Sequence, residues 1–276
     1  KLNFYLKSEK PDVVIHLAAQ SLVDETINKN KYYSDNILAT KNLVFSMKKN
    51  NINNIIFSST AALYKFNNKI LNEKSAISPK STYAKTKLQC EKIIKDSNLN
   101  SIILRFFNVC SSLRIKKKII GEFHKPETHL IPTIVYKNIC KKKIYIYGNN
   151  YNTKDGTCVR DYVHIKDICS AIKKSINYLL NNNNKFEIIN ISSSSKKTNF
   201  EILNTIQKIT KIDNIYEVVK RRSGDVDYLT CSNSKAKLKL KWSPVYSNIN
   251  RIIKDEIKWV YHLLKNKKFR KFKNYL

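Results

Sequence analysis

Short apolar runs bounded by polar or turn residues alternate along this chain with longer stretches of helical periodicity, and that alternation constrains its fold more than any other feature. The runs cover residues 13–17, 54–57, 101–106, 144–147, 186–191 and 215–219. The amphipathic stretches between them cover 33–48, 82–95, 130–140, 166–180, 199–211 and 249–264. A strand that returns through a helix to a second strand makes the pair parallel, and successive crossovers cover both faces of the sheet. The expected fold is therefore α/β, a doubly wound parallel sheet.

With 276 residues, 42% of them hydrophobic, the chain can bury a substantial core. Its formal charge of +31 raises nucleic acid or a membrane surface as partners. The excess is nearly all lysine spread through the chain. Clusters occur only at Lys116-Lys117-Lys118, Lys141-Lys142-Lys143 and 265–273, and charge runs are usually solvated faces, so neither partner is expected. No stretch approaches the roughly 20 apolar residues of a membrane span, and residues 1–7 lack the order of a signal peptide. Six cysteines show no CxxC pair and no His/Cys cluster at zinc-finger spacing. Free thiols in a cytoplasmic protein, and no metal, are the expectation. Glycine occurs only at Gly121, Gly148, Gly156 and Gly224, so the chain carries no GxGxxG phosphate loop.

The chemistry-bearing segments are Ser58-Ser59-Thr60, at the end of an apolar run, and Tyr83-Ala84-Lys85-Thr86-Lys87, opening a helical stretch. Tyrosine is unperturbed near pH 10, so its use as a base near neutrality requires a neighbour that favours the phenolate. Lys87 lies one turn beyond Tyr83 on the same face and is expected to supply that charge. In a lysine-rich chain the spacing alone means little, since Tyr162/Lys166, Tyr216/Lys220 and Tyr261/Lys265 repeat it. Context separates Tyr83, with the Ser-Ser-Thr end upstream and Arg105-Phe106-Phe107-Asn108 closing the next run. His16 and His164 read as structural.

Further segments carry a resemblance: Asp12-Val13-Val14-Ile15-His16-Leu17-Ala18-Ala19, Tyr32-Tyr33-Ser34-Asp35-Asn36, and Gly121-Glu122 leading to Pro126-Glu127-Thr128-His129-Leu130-Ile131-Pro132. Others are Asp155-Gly156-Thr157-Cys158-Val159-Arg160-Asp161-Tyr162-Val163-His164, Arg222-Ser223-Gly224-Asp225 and Leu240-Lys241-Trp242. Together these resemble the UDP-glucose 4-epimerase family of extended short-chain dehydrogenases/reductases over nearly the whole length. The resemblance implies an NAD-binding, Rossmann-like domain over 1–110, with 160–192 returning to it. A UDP-sugar-binding lobe would comprise 111–159 and 193–276. It implies Tyr83 as catalytic base, Lys87 as ribose contact and pKa modifier, and Thr60 as the hydroxyl bonded to sugar and base. Ala18, Ala19, Asn36 and Ser58 would stand on the NAD side. Phe107, Asn108, Leu130, Tyr147, Arg160, Arg222 and Asp225 would line the UDP-sugar site. Guanidinium forks suit a diphosphate and a carboxylate suits a ribose diol. The sequence departs from the family pattern at Ser21, where a lysine is expected, at Lys65 in place of a glycine, and at Leu229, where an aromatic is common.

The activity implied is NAD-dependent inversion at C4 of a UDP-hexose through a 4-keto sugar. Other nucleotide-sugar epimerases or decarboxylases and a non-catalytic UDP-sugar-binding protein remain alternatives. Dehydration is disfavoured because Ala61 and Ala62 stand where an acid/base pair would be needed. The resemblance further implies that the first strand-helix units, with the phosphate loop, lie upstream of Lys1, so the chain by itself is expected to be inactive. A homodimer is compatible with all of this.

Overall fold

The computed structural model describes residues 1–21, 28–66, 69–124, 126–183, 185–222 and 224–266. Ser223 of the 222–225 element and the basic tail from 267 on lie outside the described residues. A parallel sheet runs in the order Val14–His16, Asn54–Thr60, Asn100–Phe106, Phe186–Ile191. Alternate side chains of its strands divide the core. Ile55, Phe57 and Ile103 pack with Leu43, Val44 and Met47 of the helix Ala39–Lys49 and with Cys90 and Ile94 of the helix Thr82–Asp96. Ile56, Ile102 and Leu104 pack on the other face with Ile168 and Ala171 of the helix Ile165–Leu180. Burial on both faces is why these strands read as unbroken apolar runs rather than as alternation. Val14–His16 forms one edge, with Ile15 and Leu17 exposed.

Each expected run and stretch carries a strand or a helix, with ends shifted by a few residues. The stretch 33–48 opens with a π-helical turn, Tyr33–Leu38, before Ala39–Lys49 continues as α-helix. A second core gathers the helices Leu130–Ile139, Asn199–Thr210 and Ile249–Lys265 around the parallel pair Ile144–Tyr147 and Tyr216–Val219. Assigning all of 193–276 to that lobe is too coarse. Ala236 and Leu240, one turn apart on the helix Ser234–Leu240, pack with Trp242 against the sheet, and the Trp242 indole donates to the Asp167 carbonyl at 3.1 Å. The bodies are also tied by the parallel pair Asn108–Cys110 and Tyr162–His164.

Candidate active site

Doubly wound sheets bind ligands beyond the carboxyl ends of their strands, where Ser58, Thr60, Ala18 and Ala19 lie. Thr60 ends its strand, and its Oγ1 accepts from the Ala62 amide at 3.1 Å, which starts the tight turn Ala61–Leu63. Ser81 caps the next helix by accepting from the Ala84 amide at 3.2 Å. Tyr83 thus sits in the first turn of that helix, with Thr60 near enough to act on its phenol. One turn on, the Lys87 amine is buried. It donates to the Ser58 carbonyl at 2.8 Å and lies 4.6 Å from the centre of the Phe57 ring.

The electrostatics differ from the simple expectation. Burial holds the Tyr83 phenol above its ordinary value, and Thr60 draws it back down. Burial pushes the Lys87 ammonium down from 10.5 to about 8, against the pull of Cys90 and Glu91. The Lys87 amine is turned to the Ser58 carbonyl. His16 is neutral, lowered to about 4 by burial and by Lys87, and its Nε2 lies 3.0 Å from the Thr40 hydroxyl. That fits its structural reading. His164 caps a helix, its Nδ1 accepting from the Lys166 amide at 3.0 Å.

Asn36 is tied into the fold next to the expected cofactor side. Its buried side chain accepts from the Gln20 amide at 2.7 Å and donates to the Thr86 hydroxyl at 3.0 Å. It therefore fastens the backbone just after Ala18 and Ala19 to the helix that carries Tyr83. The wide turn Tyr33–Leu38 holds it in place. Ala18 is exposed and Ala19 half-buried, so the strand end remains open to close approach.

A buried polar network beneath the site was not read from the sequence. Arg105 grips Glu91 with two hydrogen bonds, 2.9 and 2.6 Å, and Ser59 donates to the same carboxylate at 2.5 Å. The guanidinium also lies 5.0 Å from the centre of the Tyr64 ring, whose hydroxyl donates to Asn190 at 2.7 Å. The signals were present: an arginine inside an otherwise apolar run, and a glutamate two helical turns after Tyr83.

On the lobe side, Phe107 packs with Ala61, Tyr64 and Leu71, which joins the two halves of the site. Asn108 donates to the Asp161 carbonyl at 2.9 Å. The segment before Arg160 folds on Gly156, with φ +75°, where a Cβ would lie 2.0 Å from the Asn149 carbonyl oxygen. Asp155 accepts from the Thr157 amide and hydroxyl at 3.0 and 2.8 Å. Arg160 then reaches Asp225 at 3.2 Å and the Val226 carbonyl at 2.8 Å, so two predicted residues meet. Asp161 instead accepts from the Ser193 amide and hydroxyl, and burial raises it to about 7. The Arg222 guanidinium lies 3.8 Å from the centre of the Tyr147 ring. Leu130 opens its helix and packs on the lobe core.

A family model described as GDP-mannose 4,6 dehydratase matches residues 1–255. A crystal structure of UDP-glucose 4-epimerase from Brucella ovis in complex with NAD superposes with a TM-score of 0.88 at 30% identity, covering 94% of this chain and 81% of that one. Fold and site together define an extended short-chain dehydrogenase/reductase acting on nucleotide sugars. UDP-glucose 4-epimerase of Streptococcus mutans is 39% identical over 263 residues, 92% of this chain and 78% of that protein; that of Lactobacillus helveticus is 37% identical over 261 residues, with the same coverage. The chain belongs to the UDP-glucose 4-epimerase family.

Proposed function

We propose that the chain interconverts UDP-glucose and UDP-galactose, with Tyr83 as the group that takes and returns the 4-hydroxyl proton. The observation that carries this is the placement of Thr60 at its strand end beside Tyr83 in the first turn of a capped helix, with buried Lys87 one turn on, in a chain of the UDP-glucose 4-epimerase family. The donor set fits the nicotinamide-ribose end of NAD: a buried amine, strand-end hydroxyls on Ser58 and Thr60, and the small residues Ala18 and Ala19 beside them. A glycine-rich pyrophosphate turn is not among the residues of this chain. NAD, when bound, supplies reversible acceptance of the C4 hydride.

Thr60 orients the sugar hydroxyl and the phenol towards each other, and burial excludes the water that would compete for the proton. Lys87 holds the ribose and, once turned from the Ser58 carbonyl, lends its charge to the phenolate. Arg160 and Arg222 receive the diphosphate, and Asp225 the ribose diol. Phe107, Asn108, Leu130 and Tyr147 line the sugar and uridine sites. Asn36 acts as a positioning residue between the cofactor side and the catalytic helix. Ala61 and Ala62 support epimerisation over dehydration, because the turn after Thr60 offers no acid or base there. The free cysteines support a cytoplasmic setting. No helix among the described residues is long and apolar enough to cross a membrane. Leu38 and Phe45, seven residues apart, stay exposed on one helical surface and suit a second copy of the chain.

Separation of the two nucleotide sugars after incubation with either one and NAD tests the activity. Tyr83→Phe should lower turnover on the order of a hundredfold with UDP affinity kept. Equal loss in Tyr162→Phe, with a mild effect at Tyr83, would move the base elsewhere.

A further inference from the structure

We propose that Glu122, His124, Glu127 and His129 bind one divalent transition-metal cation, with Glu256 closing the site from behind. Candidate donor atoms, one from each of the first four residues, all lie within 4.8 Å of one another. The Nδ1 atoms of His124 and His129 converge on a single Glu122 oxygen, at 2.6 Å for His124. The same nitrogens lie 3.8 and 3.2 Å from oxygens of Glu127. Two imidazoles with carboxylates form the mixed N/O set of a borderline cation such as Zn²⁺, whose bonds run about 2.0–2.2 Å.

Ordinary ion pairing accounts for His129, which hydrogen bonds to Glu122 and Glu127 raise to about 10, but leaves His124 beside it. The imidazole centres are 5.2 Å apart, so two imidazolium ions there would repel each other. Neutral imidazoles sharing one cation would not. Glu127 uses Oε1 to accept from the Thr128 and His129 amides, both at 2.9 Å, which fixes the loop and leaves Oε2 towards His124.

The independent observation is Glu256. It is fully buried, and neither of its carboxylate oxygens has a hydrogen-bond partner among the described residues. A carboxylate in that position calls for a proton or a cation. It stands on the helix Ile249–Lys265, which meets this loop at Trp259. Trp259, three residues on along the same helix face, donates to the Glu122 carbonyl at 2.7 Å. A Cβ on Gly121 would come within 2.5 Å of the Trp259 ring, so the loop can lie this close only with glycine there. A search for Cys/His pairs at finger spacing passes over this loop, because its donors follow one another irregularly. The site does not depend on the reading of the Tyr83 centre.

The test uses the 276-residue chain stripped of metal by a chelator, titrated with Co²⁺ by visible absorption and with Zn²⁺ by calorimetry. One equivalent should bind, giving cobalt bands without a thiolate charge-transfer band. His124→Asn, His129→Asn and Glu256→Gln should each weaken binding at least tenfold, with circular dichroism unchanged for the two loop variants. The midpoint of thermal unfolding of the unmodified chain should rise with Zn²⁺. Absence of the cobalt spectrum, its persistence in the double variant His124→Asn/His129→Asn, a thiolate band, or a midpoint unmoved by Zn²⁺ would overturn the proposal.

Discussion

A buried ammonium has lost most of its hydration, and Lys87 recovers only part of it from the Ser58 carbonyl and the Phe57 ring. Its value falls from 10.5 in the unfolded chain to about 8 in the fold. Between those values the unfolded chain binds more protons, so stability rises with pH across that window. The full penalty is present below it. Lys87→Met should therefore stabilise the chain at pH 7 by up to about 3 kcal/mol and flatten the rise, while turnover is lost. Urea unfolding from pH 7 to 10.5 reads both effects. A slope that survived in the variant would assign it to another group. Arg222 is exposed over Tyr147, so its loss should cost little stability. Arg222→Ala should weaken UDP binding by roughly 2 kcal/mol, read by calorimetry.

Between elements, the Glu91–Arg105 pair fastens the catalytic helix to the strand Asn100–Phe106, with Ser59 of the neighbouring strand on the same carboxylate. Both side chains are almost wholly buried, so removing one partner strands the other charge. Glu91→Gln should destabilise the chain by about 3–5 kcal/mol, whereas the double variant Glu91→Leu/Arg105→Met should come out near neutral. Urea denaturation of both variants checks this; equal losses would mean that the pair contributes net attraction rather than mutual neutralisation. The helices themselves follow from local chemistry that the sequence shows. Ser81 caps one, and Thr198 with Glu201 forms a reciprocal capping box on another. The π-turn at Tyr33–Leu38 was not legible, because its extra residue is held by the bonds Asn36 makes to Gln20 and Thr86, far along the chain.

Across the whole molecule, Asp167 joins the sheet body to the segment that leads back to the lobe. Its carboxylate accepts from the Val245 and Tyr246 amides at 2.9 and 2.8 Å and from the Ser247 hydroxyl at 2.6 Å. Ser247 in turn accepts from the His164 amide at 3.0 Å. Asp167→Ala leaves two amides without their acceptor, each costing about 1–3 kcal/mol, so a loss of about 2–6 kcal/mol is expected. The fall in thermal midpoint measures it. Asp167→Asn, which keeps an acceptor oxygen, should retain part of the stability.

The sequence by itself determined the parallel α/β architecture, because buried strands and amphipathic helices differ in length and period whatever surrounds them. It also determined the neighbourhood of the proposed base: a hydroxyl at a strand end and a tyrosine in the first turn of a capped helix are local features. Only the tertiary structure decided what those groups experience. Lys87 faces a carbonyl rather than the phenol, Asn36 ties loop to helix rather than facing outward, and Arg160 finds Asp225 rather than its neighbour Asp161. Each outcome depends on burial and on partners brought together from distant parts of the chain, and pattern along the sequence carries no information about either.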